Sequence, residues 1–177
     1  MRRLLLLRHA KTETDAPSGK DFDRRLDGRG PGDAIAIGEW LAQHPPLPDL
    51  VCVSTAARAR QTWDQVSTGI AARRLPAVEY VDELYSAGPV EILAEIRAAA
   101  TQDPATLMIV GHNPGLHELA LGLIGDGDAP GRKALADNLP TSGLAVIDFA
   151  IADWGDVAFR GGTLVRFVSP KLLKDEA

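Results

Sequence analysis

Short, uninterrupted apolar runs alternate along this chain with longer stretches whose apolar positions recur every three or four residues. Residues 4–7 (LLLL), 50–53 (LVCV), 78–81 (VEYV) and 106–110 (TLMIV) are runs of the first kind. Each ends in a polar or glycine-containing turn, as a strand buried on both faces does. Stretches of helical period follow them. Ala34, Ile37, Trp40 and Leu41 share one helical face until Pro45 and Pro46 stop the helix. Ala59, Thr62, Trp63, Val66 and Ile70 form a second stripe, and Pro89 opens a third helix with Val90, Leu93 and Ile96 directed inward. A fourth starts at Pro114 and carries Leu116, Leu119, Ala120 and Leu123. The closing runs "GLAVIDFA" and "TLVRFV" read as paired strands, while residues 11–32 and 125–141, the most polar stretches, read as long connections of functional or mobile character. Apolar strands alternating with amphipathic helices predict an α/β fold. Its form is a three-layer α/β/α sandwich with a mostly parallel central sheet and helices on both faces.

Composition narrows the setting. At 177 residues with 45% hydrophobic content the chain predicts one domain, 1–177, with no repeat to mark a second. A net charge of −5 and the lack of an aromatic-rich basic stripe argue against nucleic acid. Arg2 and Arg3 ahead of the leucines imitate a secretory leader, but Arg8 breaks the apolar run after four residues, short of the ~7–15 a leader needs. No segment approaches the ~18 apolar residues of a membrane span. The lone Cys52 cannot form an internal disulfide and sits in an apolar run, which fits a buried thiol in a reducing compartment. A soluble, cytoplasmic, monomeric protein without membrane contact is the expectation.

The chemistry gathers at strand ends. In open α/β sheets, ligands bind beyond the carboxyl ends of the strands. Arg8 and His9 close the first run, Ser54 and Arg58 follow the second, and His112 with Asn113 follows "TLMIV". Bringing Arg8, His9, Arg58 and His112 together would cost several kcal/mol of repulsion unless an anion lies between them. Guanidinium forks match phosphate bidentately, and the helix opening at Pro114 turns its positive end to the same place. Histidine attacks phosphorus only when neutral, and neighbouring cations lower an imidazole pKa, so the arginines would bind substrate and keep His9 deprotonated. Positioning and cationic stabilisation are most of what phosphoryl transfer needs, so neither a metal nor a cofactor is called for.

The motifs "LRHAKT", "STAARARQT" and "VGHNPG", in this order and with the intervening "DFDRRLDGRG" and "LYSAG", resemble the histidine phosphatase superfamily. Within it they are most similar to the small SixA-type phosphohistidine phosphatases. The resemblance covers nearly the whole chain and implies a phosphoglycerate mutase-like fold without a large lid insertion. It also implies that His9 is transiently phosphorylated, that Arg8, Arg58 and His112 bind and stabilise the phosphoryl group, and that Asn113 lines the pocket. Arg24 matches an arginine of the family's "DxxRPL" segment and would help build the rim, and Ser54 would join the substrate-binding residues. Thr55 and Arg25 stand where many members have proline. Glu83, with Asp82 as runner-up, is the candidate acid for the leaving group, although a phosphoramidate nitrogen can take its proton from solvent.

The remaining polar and aromatic candidates read as structural. His117 lies five residues past His112, so the two do not share a helical face and do not make a metal pair. His44 reads as a surface helix end, Trp40 and Trp63 as core, and Trp154 as an exposed residue of a polar turn. Thr141 and Ser142 either touch the pocket or shape a turn.

Only 25 residues separate Arg58 from Glu83, too few for an inserted lid. A lidless site suits a phosphoryl group displayed on a protein, which brings its own walls. The expected function is therefore removal of phosphate from phosphohistidine on a signalling or phosphotransfer protein. A small-molecule phosphomonoesterase is the alternative if the two polar connections fold over the site, and a phosphoprotein-binding module without turnover is the third.

Overall fold

The computed structural model describes residues 1–72 and 74–176. Its strands are β1 (Arg2–Arg8), β2 (Leu50–Ser54), β3 (Ala77–Val81), β4 (Thr106–Gly111), β5 (Ile124–Gly127), β6 (Leu144–Phe149) and β7 (Gly162–Val168). The helices are α1 (Gly30–Gln43), α2 (Ala57–Ile70), α3 (Pro89–Ala98), α4 (Gly115–Leu123), α5 (Ala129–Asp137) and α6 (Pro170–Glu176). All seven strands form one sheet in the order β3-β2-β4-β1-β6-β7-β5. Only β6 runs against its neighbours, β1 and β7, and every other ladder is parallel. The fold is thus the mixed, mostly parallel α/β sandwich expected, with no large insertion.

Strand periodicity explains why the four leucines of β1 are continuous. Successive side chains leave opposite faces of a sheet, so Leu4 and Leu6 join one core while Leu5 and Leu7 join the other. The first core takes Leu107 and Ile109 of β4 with Ile92, Leu93 and Ile96 of α3 and Leu116, Leu119 and Leu123 of α4. The second takes Met108 and Val110 with the stripes of α1 and α2, including Trp40 and Trp63. A strand central in the sheet and covered on both sides therefore needs apolar residues at every position.

Several expectations are corrected. Val90 is exposed: it stands in the first turn of α3, to one side of the stripe of Ile92, Leu93 and Ile96 that the helix buries. Trp154 is fully buried, its indole N–H donating to the Pro104 carbonyl at 2.7 Å. Residues 125–141 are largely regular structure: they complete the edge strand β5, which pairs with β7, and carry α5, whose N-cap Asp128 accepts from the Gly131 N–H. Their polarity reflects an edge strand and a helix that buries only Gly131 and Leu135. The connection after β1 is irregular as expected, with a short 3-10 turn at Asp21–Asp23 and a bridge between Thr12 and Leu26. No helix among the described residues is long and apolar enough to cross a membrane.

Where α1 meets α2 the helices touch backbone to backbone. A Cβ on Gly38 would lie 2.1 Å from the Val66 carbonyl oxygen, and one on Gly69 would lie 2.1 Å from that of Ile35. This close approach fixes α2, and with it Arg58, against the rest of the layer. Gly38→Ala is accordingly expected to lower stability by about 1–3 kcal/mol through overpacking, read from urea unfolding. An unchanged midpoint would contradict the close approach.

Candidate active site

β1, β2 and β4 are adjacent and parallel, so their carboxyl ends open on one edge of the sheet. That register delivers the predicted residues together. His9, Arg58 and His112 are 6%, 6% and 7% exposed, and the two imidazole centroids lie 5.3 Å apart.

His9 is held by its backbone and by its ring. Its N–H donates to the Gly111 carbonyl of β4 at 3.0 Å, and the Ser142 N–H donates back to the carbonyls of Arg8 and His9. Ser142, with φ of +56°, therefore does turn work that fixes the strand end. The next residue, Ala10, donates its N–H to Thr62 Oγ1 on α2. On the ring, Nδ1 lies 2.8 Å from the Ala10 carbonyl oxygen. A carbonyl only accepts, so the proton sits on Nδ1 and the lone pair is left on Nε2. This is the tautomer a nucleophile needs.

The other groups each keep one polar edge free. Arg8 donates from Nη1 to the Leu139 carbonyl at 3.1 Å, and Arg58, in the first turn of α2, donates from both terminal nitrogens to Asp21. His112 Nε2 is 2.7 Å from Ser54 Oγ, which also accepts weakly from the Ala56 N–H. Arg8 Nε, Arg58 Nε and His112 Nδ1 are buried and have no hydrogen-bond partner among the described residues. Buried donors in a native protein are almost always partnered. Two guanidinium N–H groups and, where the Ser54 hydroxyl donates to His112 Nε2 and leaves the proton on Nδ1, an imidazole N–H are left over beside the His9 lone pair and form a cradle for an oxyanion.

The electrostatics agree. Burial pushes the His9 imidazole down from 6.5 to about 3, with His112, Arg58 and Arg8 adding to the effect against the bond to Ala10. His112 falls to about 4, mainly through burial and then Arg58, while Asp21 opposes the fall. Both rings are therefore neutral at physiological pH.

The remaining candidates are placed differently. Asn113 donates from Nδ2 to the Leu139 carbonyl at 2.8 Å and keeps a buried, unpartnered Oδ1. Ser54 is completely buried and orients His112. Arg24 lines the cleft, bonded to Asp21, Thr12 and the Glu13 carbonyl. Glu83 is not brought to the cluster: it is exposed on the Asp82–Leu84 turn beyond β3, where Leu84 takes the buried position and the neighbouring charge is Glu95. Asp82 is exposed there too. The carboxylates that line the cleft of about 490 Å³ are Asp21 and Glu118. Asp21 and Tyr85 were missed as site residues although both lie within the matching segments "DFDRRLDGRG" and "LYSAG". His117 instead bonds the Leu135 carbonyl, and His44 is exposed and stacked on Trp40. Cys52 is buried, its thiol pushed up to about 12 by burial. Among the described residues no group of three or more His, Cys, Asp or Glu could hold a metal ion.

An α/β sandwich that sets two neutral histidines and two arginines at its strand ends has the make-up of a site for a phosphoryl group. Comparison with known proteins agrees. The family described as histidine phosphatase superfamily (branch 1) matches residues 4–84. An uncharacterised protein of Mycobacterium tuberculosis is 39% identical over 168 residues, spanning 93% of this chain and 100% of its own. The crystal structure of a protein assigned as the phosphohistidine phosphatase SixA of Agrobacterium tumefaciens superposes with a TM-score of 0.78 at 35% identity, covering 96% of this chain and 98% of that one. A protein with the same assignment from Nakamurella multipartitia gives 0.81 at 33% identity over 96% of each chain. The chain belongs to the histidine phosphatase superfamily and groups with its SixA-type members.

The depressed histidines have a consequence for stability. Between pH ~4 and ~6.5 the unfolded chain binds protons that the folded site refuses, so stability rises with pH across that window and is lost as pH falls below ~6.5. Melting temperature should fall between pH 7 and pH 5 in phosphate-free buffer, and the slope should be shallower in His9→Ala. An equal slope in the variant would contradict a neutral, proton-refusing His9.

Proposed function

We propose that this chain removes phosphate from phosphohistidine on a phosphorylated protein, with His9 as the transient phosphoryl acceptor. The observation that carries the reading is the set of three partnerless buried nitrogens, Arg8 Nε, Arg58 Nε and His112 Nδ1, around a histidine whose Nε2 lone pair is free.

In the first half-reaction His9 Nε2 forms a bond to phosphorus as the P–N bond of the substrate breaks and the leaving imidazole takes its proton from solvent. In the second, water attacks the phosphoryl group, the His9–P bond breaks, and inorganic phosphate leaves with His9 neutral again. Arg8, Arg58 and His112 hold the equatorial oxygens through both steps, where charge is spread and positioned cations stabilise it most. Since imidazole leaves readily as a phosphoramidate nitrogen, no carboxylic acid is needed, in keeping with a Glu83 that is exposed on the Asp82–Leu84 turn. The reaction as proposed uses neither metal nor cofactor.

A protein substrate is supported by the shape of the site. The cleft has no inserted lid, and Asp21, Ser86, Pro114 and Glu118 on its lining are exposed. The same reading has the protein work as a cytoplasmic monomer with a phosphoprotein as its partner. One observation favours the small-molecule alternative: both polar connections border the site, Asp21 and Arg24 from one and Leu139 from the other.

Phosphate release from a phosphohistidine-bearing phosphotransfer domain and from an aryl phosphate, side by side, separates these readings. Wild type should prefer the phosphotransfer domain, with His9→Ala lowering turnover by ~10³-fold or more and Arg58→Ala by roughly 10²–10³-fold. Preference for the aryl phosphate would move the function to small molecules. Binding of the phosphodomain without release would leave a binding module.

A further inference from the structure

Arg58 spends its two terminal nitrogens on Asp21. Nη1 donates to the Asp21 carbonyl oxygen at 2.8 Å and Nη2 to its Oδ2 at 3.0 Å. A guanidinium has two fork edges, and this pair occupies the end edge. What remains is the side edge, whose Nε is buried and unpartnered. The same carboxylate accepts from Arg24 Nε at 2.9 Å on Oδ1 and from the Tyr85 hydroxyl at 2.7 Å on Oδ2. Tyr85 in turn stands edge-on to His112, with ring centroids 5.7 Å apart, and its centroid lies 5.8 Å from Arg58 Cζ. One side chain therefore touches both arginines of the mouth and the aromatic ring packed on the second histidine.

We infer that Asp21 is a positioning residue for phosphoryl transfer, gripping the end edge of Arg58 so that its Nε edge meets the phosphoryl oxygens and drawing Arg24 and Tyr85 to the same mouth. This rests on the phosphatase reading above and adds a residue to that site. An exposed ion pair alone is worth little, but Arg58 is not exposed and Asp21 holds it with main chain and side chain together. The loop carrying Asp21 is itself tied down. Arg24 Nη1 donates to Thr12 Oγ1, Ser18 Oγ to Asp23, and the Leu26 N–H to Gln61 Oε1 on α2. Asp21 is poorly suited to be the proton donor, because its bond from Tyr85 and the two arginines hold its carboxyl down at about 2.

Two rival roles predict different outcomes. If Asp21 only competes with phosphate for Arg58, its removal frees the arginine and tightens anion binding. If it is the general acid, its loss hurts substrates with basic leaving groups most. Positioning predicts weaker binding and a loss independent of the leaving group.

The experiment measures kcat and KM of the full chain on p-nitrophenyl phosphate and on phenyl phosphate, and the calorimetric Kd for inorganic phosphate, in wild type, Asp21→Ala, Asp21→Asn and Tyr85→Phe. Thermal melts check folding. Asp21→Ala should lower kcat by roughly 10–100-fold, equally for both esters, with a raised Kd. Asp21→Asn, which keeps one side-chain oxygen and the main-chain carbonyl, should lose less, and Tyr85→Phe a few-fold in the same direction. Unchanged turnover, a lower Kd, or a loss that grows with leaving-group basicity would overturn the inference. If Asp21→Ala does not fold, Asp21→Asn and Tyr85→Phe decide. Should wild type turn over neither these esters nor a phosphohistidine protein, the phosphatase reading fails, while the phosphate Kd still decides whether Asp21 positions Arg58.

Discussion

Positive charge crowded into a buried corner is the constraint around which this protein is arranged. Two guanidinium groups and two imidazoles meet where three parallel strands end, and one carboxylate, that of Asp21, pairs with Arg58 from the outer side. The protein manages this by keeping the histidines neutral through burial and by anchoring each arginine on a carbonyl or carboxylate at its outer edge. The inner edges are left to an anion. Stability and chemistry pull against each other here, since the uncharged, desolvated imidazole that suits nucleophilic attack also makes the fold sensitive to acid.

Rigidity is supplied from outside the cluster. The leucines of β1 are shared between two cores, so the strand that ends in Arg8 and His9 cannot shift without disturbing both layers. The glycine contact between α1 and α2 sets the depth of α2, and α2 in turn carries Arg58 and, through Thr62, the hydrogen bond that holds Ala10. The Ala10 carbonyl then fixes the proton position on the His9 ring, and Ser54 holds the His112 ring by its Nε2. Each functional side chain is therefore held by a hydrogen bond to a neighbour.

How much of this was readable in the sequence follows from the range of each interaction. Strands covered on both faces and helices with one apolar stripe leave local patterns, so β1, β2, β4, α1, α2 and α4 were legible, as was the meeting of Arg8, His9, Arg58 and His112 at the strand ends. β5 and α5 were not, because an edge strand of sequence "IGDG" and a short helix with one large buried residue carry too little apolar signal. Trp154 was misplaced because its burial depends on Pro104, fifty residues away. Glu83 was singled out from its place after a strand, yet the fold of the Asp82–Leu84 turn decides which side chain faces the cleft, and the short turn holds no periodicity to read. Asp21 escaped notice for a similar reason: its significance lies in reaching Arg58, Arg24 and Tyr85 at once, which only the folded loop brings about.

The central claim is that His9 carries the phosphoryl group, and trapping that intermediate tests it most directly. Wild-type protein mixed with a phosphorylated substrate, quenched in alkali during turnover and mapped by mass spectrometry of its peptides, should show one phosphoryl group on His9 that vanishes when substrate is exhausted. Phosphate release at full rate with the label on His112, or with no histidine labelled at any time, would contradict the account.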